Sequence, residues 1–153
     1  MPAIRPSKSK VQFIEVVESL KLEEAVGTDH SWSGITVDGT AGENLTVGQT
    51  CYLKNDGKYW KSDADAAATM PVAAMATATI AADASGIFLL SGYMRDDTWA
   101  WTVGGLLFAD ETTAGAMDQT APAGSGDQVQ VVGYALTADI VYFNPCLEMV
   151  EIT

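Results

Sequence analysis

Residues 86–94 of this chain read GIFLLSGYM. The run holds four consecutive apolar side chains, which is typical of a strand buried on both faces. Gly92 lies inside the pattern, and a glycine in a strand indicates a bulge or a close approach of another backbone. We therefore expect a central strand here, with a bulge at Gly92.

Downstream of this strand, residues 98–103 read TWAWTV and alternate between large and small side chains. Alternation of this kind predicts a strand with Trp99 and Trp101 on one face. Two exposed indole rings side by side would form a large apolar patch, so we assign both residues to the core or to a subunit interface. The alternative is a platform on which sugars stack. Trp60 and Tyr93 are candidates for the same core or interface role.

Upstream, residues 49–63 read QTCYLKNDGKYWKSD and predict a β-hairpin. Asn, Asp and Gly at positions 55–57 tolerate the backbone angles that tight hairpin turns require. Asp38 and Gly39 predict a second turn after a short apolar run. In the alanine-rich stretch 63–69 we expect one short helical turn with Asp63 as its cap.

Further short strands are predicted at residues 128–136 (QVQVVGYAL) and 140–145 (IVYFNP). Many short strands at roughly ten-residue spacing indicate a sandwich or a barrel, with no alternation of strands and helices. The predicted fold is therefore all-β and mostly antiparallel, a compact sandwich or barrel preceded by an N-terminal arm. We divide the chain into an arm at 1–27 and a β-rich domain at 28–153.

The arm carries much of the scarce positive charge, at Arg5, Lys8 and Lys10. Residues 1–10 hold two prolines and predict an extended segment. Residues 11–26 fit a helical stripe, but their β-branched side chains also fit one face of a strand, and we expect a strand.

The whole chain has a net charge of −12, with only 8 lysines and arginines against 20 acidic residues. Nucleic acids and anionic membranes are recognised by clustered positive charge, so neither is an expected partner. We find neither a secretory signal nor an apolar run long enough to span a membrane, and expect synthesis in a cytoplasm. Cys51 and Cys146 are expected to be free, mostly buried thiols.

Residues with catalytic or metal-binding potential are scattered. His30 is the only histidine, and Asp29 is its one acidic neighbour in sequence. Adjacent acids such as Asp96 and Asp97 do not supply two carboxylates on opposite sides of a cleft, which glycoside hydrolysis requires. We therefore predict no catalytic residues, no metal site, no cofactor and no enzymatic activity.

Three stretches together resemble a module of tailed-phage structural proteins, which include capsid decoration and head-fibre proteins. They are VGQTCYLKNDGKYWKSDADAAATMP (47–71), GIFLLSGYMRDDTWAWTVGGLLFADETTAGAMDQTAPAGSGDQVQVVGYAL (86–136) and TADIVYFNP (137–145). About two thirds of the chain is covered, and residues 1–45 lie outside the resemblance. Fibre versions of the module follow a long repetitive stalk, whereas only a short N-terminal region precedes it here.

The resemblance implies a β-rich, non-enzymatic module, commonly trimeric, on the exterior of a virion. Its expected partners are the major capsid protein and two further copies of the chain. The basic residues Arg5, Lys8 and Lys10 are the candidate capsid anchor. The alternative is a head fibre, or a carbohydrate-binding adhesion module that recognises a glycan on the host surface.

Overall fold

The computed structural model describes residues 21–153. It is 39% strand and 2% helix, and its antiparallel sheet curls into a half-barrel. This confirms the all-β, mostly antiparallel fold class.

The described residues form eleven strands and one short 3-10 helix. The strands are β1 Trp32–Thr40, β2 Thr50–Leu53, β3 Tyr59–Lys61, β4 Ala74–Ala76, β5 Ser85–Arg95, β6 Leu106–Ala109, β7 Met117–Asp118, β8 Gln128–Val129, β9 Val131–Ala135, β10 Ile140–Phe143 and β11 Val150–Glu151, and the helix is Ala67–Thr69.

The predicted central strand is β5, and it organises the nine-stranded main sheet. β1 pairs with β5 along one edge, while β4 and β10 share the other. On one side the sheet continues from β4 through β2 to β3. On the other it continues from β10 through β9 and β6 to β7. β8 and β11 pair separately. The two halves of the sheet therefore meet at β5.

A bulge in β5 sets which side chains face the interior. Thr36 pairs with Leu89 and Ile35 pairs with Ser91, which leaves Leu90 as the extra residue. An extra residue reverses the alternation of faces, so Leu89 and Met94 both enter the same core although they are an odd number of residues apart. The bulge is thus at Leu90, and its predicted position at Gly92 is wrong.

Gly92 instead allows two backbones to approach closely. It lies opposite Gly34 of β1 and has a φ of 149°. A side chain on Gly92 would collide with the Ser33 carbonyl oxygen, and one on Gly34 would collide with the Ser91 carbonyl oxygen. Only glycine fits either position without displacing the paired strand.

Two hydrophobic cores lie on opposite faces of β4 and β5. Met75 points into the main core, whereas its neighbours Ala74 and Ala76 point into a smaller one. The buried members of the main core are Ala64, Met70, Val72, Met75, Leu89, Met94, Leu107, Ala109, Met117, Val132, Val141 and Phe143. The smaller core holds Ala41, Leu45, Cys51, Ala74, Ala76, Ile80 and Phe88.

The predicted hairpin is confirmed, because β2 and β3 pair antiparallel around a turn in which Gly57 has a φ of 78°. The predicted turn at Asp38 and Gly39 is wrong. Both residues continue β1, where they pair with Ile87 and Gly86. The lack of a side chain at Gly39 leaves room for the Tyr59 ring against the sheet.

The predicted strand at residues 98–103 is also wrong, since this segment is part of the loop between β5 and β6. Asp96 turns the chain there. Its Oδ1 accepts hydrogen bonds from the Thr98 N–H (2.8 Å) and the Thr98 hydroxyl. A short polar side chain that binds nearby backbone competes with a strand ladder, and here it ends β5.

The predicted cap of the helical turn is wrong. The 3-10 helix has Ala66 as its N-cap residue, and Asp63 instead accepts the Asp65 N–H at 3.2 Å.

The strand predicted for residues 11–26 is not found in its described part. Residues 21–26 form neither strand nor helix, and residues 11–20 lie outside the described residues. Val26 is nevertheless buried, so the last part of the arm packs on the domain.

We expect Gly92→Ala to lower the free energy of unfolding by roughly 2–4 kcal/mol, because it combines an unfavourable φ with a backbone collision. Gly57→Ala is the matched control. Gly57 also has a positive φ but faces open space, so its loss should be about 1 kcal/mol. Urea unfolding of both variants measures the difference, and equal losses would contradict the close approach.

Candidate functional site

The four predicted core or interface residues lie in three separate places. Trp60 is part of the β2–β3 hairpin. Its indole nitrogen lies 3.1 Å from Asp56 Oδ2, and the Lys54 ammonium lies 4.3 Å from the ring centroid. The ring also covers Gly42, where a side chain would collide with it. Trp60 is therefore held by Asp56 and Lys54 of its own hairpin and by packing over Gly42.

Trp99 and Trp101 form a tilted pair in the loop after β5. Their ring centroids are 5.9 Å apart at an interplanar angle of 51°. Both rings pack against the main core on one side. On the other side they line a cleft of about 290 Å³, together with Val47, Gly48, Gln49, Thr113, Ala114, Gly115, Ala116 and Met117. The pair therefore both packs on the core and lines this surface cleft.

The Trp101 indole nitrogen is buried and has no hydrogen-bond partner among the described residues. A buried donor without an acceptor costs stability. The cleft lining contains no carboxylate, so the cleft itself lacks the paired acids that glycoside hydrolysis requires.

Tyr93 belongs to a row of side chains on the outer face of the sheet. Cross-strand register places Tyr93 beside Tyr142, Tyr142 beside Tyr134, and Tyr134 beside Leu106. The ring centroids are 5.1 Å apart for Tyr93 and Tyr142, and 5.3 Å apart for Tyr134 and Tyr142. These four residues are called the tyrosine row. Their neighbours Met94, Val141 and Leu107 face the main core, so the row faces away from it.

The row is exposed at one end and partly buried at the other. Leu106 is 51% exposed and Tyr134 is 38% exposed. Partial burial raises the pKa of Tyr93, and the nearby Tyr134, Glu24 and Tyr142 raise it further. The Tyr93 phenol is thus neutral at physiological pH, and the row contains no aspartate, glutamate, lysine or arginine side chain.

The end of the N-terminal arm lies close to this row. The Glu23 N–H donates to the Ser33 hydroxyl at 2.9 Å, and Ser33 pairs with Tyr93. The Arg95 guanidinium reaches the Val26 carbonyl oxygen at 3.4 Å. Arg5, Lys8 and Lys10, the predicted capsid anchor, lie outside the described residues.

The fold also assembles a cluster that sequence reasoning missed. His30 Nε2 lies 3.5 Å from Asp29 Oδ2 and 3.7 Å from Asp96 Oδ2. Asp29 and His30 precede β1, and Asp96 directly follows β5, so the pairing of these strands brings them together. No sequence spacing indicates this contact, because it depends on the strand register.

The other loop acids are mostly held by hydrogen bonds. Burial alone would raise the pKa of Asp110, but hydrogen bonds from Thr112 and Thr113 lower it overall. Burial raises the pKa of Asp63, and the charges of Asp65 and Asp110 add to the rise. Asp110 therefore stabilises a turn as an anion, which is an ordinary structural use of a loop carboxylate.

A scan against models of known protein families finds no match for this chain, and a search of curated proteins finds none either. The resemblance to phage decoration and head-fibre proteins therefore stays a prediction. In the part of the chain from residue 21 onward, no helix is long and apolar enough to cross a membrane.

The two cysteines are free, as expected, but they differ in exposure. Cys51 is buried in the smaller core. Burial, with the charge of Glu43 nearby, raises the pKa of its thiol to about 12. Cys146 is exposed, so the prediction that both thiols are buried is wrong for this residue.

A water-soluble thiol reagent at pH 8 should therefore modify Cys146 in the folded protein and leave Cys51 unreacted, because the thiolate is the reactive form. Unfolding should release the second thiol. Mass spectrometry of the labelled protein counts the added groups. Rapid native labelling of both residues would show that the smaller core is open.

Proposed function

We propose that this chain is a virion structural protein that decorates the outer surface of an assembled phage head as a homotrimer. Its partners are the major capsid protein and two further copies of itself. In this proposal it acts without catalysis, is made in the host cytoplasm and resides on the capsid exterior. The observation that supports self-association is the tyrosine row on an otherwise strongly acidic protein. The place on a phage head follows the family resemblance.

The tyrosine row has the composition of a protein–protein contact. Tyrosine is enriched at interfaces because its ring contributes apolar area while its hydroxyl stays hydrated or hydrogen-bonded. Ile35, on β1, extends the patch and is 55% exposed. It pairs with Ser91, whose hydroxyl lies 3.5 Å from the Tyr142 hydroxyl. These are neighbours on one sheet face, and contiguous apolar area of this kind marks a contact site.

A further copy of the chain is the occupant that the charge distribution favours. The net charge of −12 makes two copies repel wherever their acidic surfaces face each other. Close contact between copies therefore needs a face with little charge, and the tyrosine row is such a face, with Glu24 near its Tyr93 end. A head-to-tail contact through this row closes into a ring when its rotation is threefold. The choice of three copies follows the family resemblance.

Decoration would stabilise the shell by mass action. A protein that binds the assembled shell but not its free subunits shifts the equilibrium towards the shell. A trimer presents three arms at once, and this avidity makes weak individual contacts sufficient. Arg5, Lys8 and Lys10 supply positive charge for that contact, while the acidic domain keeps particles apart.

Replacing Leu106 by Glu tests the interface. The substitution places a charge in the tyrosine row, and we expect the solution mass to fall from three protomers to one. Leu53→Glu is the matched control, because Leu53 is 54% exposed and lies outside the row. It should leave the trimer intact. Light scattering after size exclusion measures both masses.

Two results would contradict the proposal. One is a wild-type protein that remains monomeric both in solution and on capsid shells. The other is an undisturbed Leu106→Glu trimer. Co-sedimentation with undecorated shells reports attachment, and the Leu106→Glu variant should attach at least tenfold more weakly because it loses avidity.

A second candidate function, glycan binding, is favoured by the tryptophan-lined cleft. The Trp99 and Trp101 rings line the cleft and offer apolar faces on which a sugar ring can stack. In this reading the chain is an adhesion module displayed on the virion.

Ala114→Trp tests the cleft without removing a core side chain, because Ala114 is exposed on the cleft wall. If the cleft binds glycans, the wild type should give hits on a glycan array, and the filled cleft should lose them. Trp99→Ala should lose them too, provided that its circular dichroism spectrum is unchanged. No signal from the wild type, or retained binding after filling, would remove this candidate.

A further inference from the structure

We propose that Asp29, His30 and Asp96 bind a first-row divalent cation, with Zn²⁺ as the best fit. The three residues each offer one ligand atom, and these atoms all lie within 4.8 Å of one another. The site goes beyond the proposed decoration function and does not depend on it.

The buried carboxylate of Asp96 is the strongest indication. Asp96 is only 7% exposed, and Thr98 occupies its Oδ1 with two hydrogen bonds. No N–H or O–H group of the described residues donates a hydrogen bond to the other oxygen, Oδ2, which faces His30 Nε2. This oxygen belongs to a largely buried side chain and faces an imidazole nitrogen, so it is placed to act as a ligand for a cation.

Asp29 is arranged in the same way. Its Oδ1 accepts the Asp97 N–H at 2.8 Å, which leaves Oδ2 directed at His30 Nε2. The nearby Arg95 is engaged elsewhere, since its Nε lies 2.6 Å from Asp97 Oδ1. Two free carboxylate oxygens therefore meet one imidazole nitrogen, and a divalent cation would balance their charge.

The donor set and the spacing favour zinc over calcium. Zinc accepts imidazole nitrogen together with carboxylate oxygen. When four such ligand atoms surround the metal as a tetrahedron, each about 2.0–2.1 Å from it, neighbouring ligand atoms lie about 3.4 Å apart. The separations of 3.5 and 3.7 Å from His30 Nε2 are close to that value. Calcium takes six to eight oxygen ligands, and this cluster offers a nitrogen and few oxygens.

The site would fasten the start of β1 to the loop that carries the tryptophan pair. The backbone already joins them, because the His30 N–H donates to the Arg95 carbonyl at 3.0 Å. The site also adjoins the cleft. A side-chain carbon on Gly48, which lines the cleft, would lie 3.9 Å from Asp96 Oδ2.

The test is a titration of the tag-free, full-length Cys146→Ser variant with ZnCl₂ in a calorimeter. Replacing the exposed thiol removes a competing zinc ligand. We expect one Zn²⁺ per chain and no saturable binding of Ca²⁺. His30→Gln and Asp96→Asn should each weaken Zn²⁺ binding at least tenfold. Asp38→Asn removes an exposed carboxylate of β1 that lies outside the cluster, and should leave the affinity within twofold.

The ring signals of His30 provide an independent readout, because it is the only histidine. Stoichiometric Zn²⁺ should shift them in the NMR spectrum. Absence of saturable binding, or equal affinity in His30→Gln, would overturn the proposal. If Asp96→Asn proves misfolded by circular dichroism, Asp29→Asn replaces it and should show the same loss.

Discussion

The fold depends on strand β5, which pairs with other strands on both edges and presents apolar side chains to both faces of the sheet. Gly34 and Gly92 let β1 approach it closely, while the bulge at Leu90 reverses its alternation of faces. The bulge directs Leu89 and Met94 into one core. With an ordinary register, one of them would lie on the opposite face.

The end of β5 then determines where the candidate sites lie. Asp96 stops the strand, and the loop that follows carries the tryptophan pair against the main core. The same residue faces His30 across the β1–β5 pairing. On the outer face, β5 begins the tyrosine row that continues over β10, β9 and β6. The proposed subunit contact and the proposed cation site thus rest on one strand.

Sequence patterns predicted the fold class, the central strand and the hairpin, because each is encoded by neighbouring residues. The patterns failed in two situations: where a side chain binds the backbone nearby, and where pairing with a distant strand overrides the local preference. The alternation in 98–103 imitates a strand, but the hydrogen bonds from Thr98 to Asp96 turn the chain instead. Asp38 and Gly39 have the composition of a turn, yet pairing with β5 keeps them extended. Here tertiary pairing overrides local preference.

The candidate sites were harder to predict, because strand register decides them. Tyr93 is recognisable as a large aromatic residue in a strand, but only the register places it beside Tyr142 and, through it, Tyr134. The contact between His30 and Asp96 likewise arises from strands that are distant in sequence. The exposure of Cys146 had no sequence signal, because cysteine is usually buried.

We propose that this chain sits on the outside of a phage head as a trimer. The most direct test incubates the purified protein with undecorated tailed-phage heads and reconstructs them by cryo-EM. We expect threefold protrusions on the shell, built from three copies whose tyrosine rows lie at the contacts between them. Heads that carry none of this protein on their surface would rule out a decoration role.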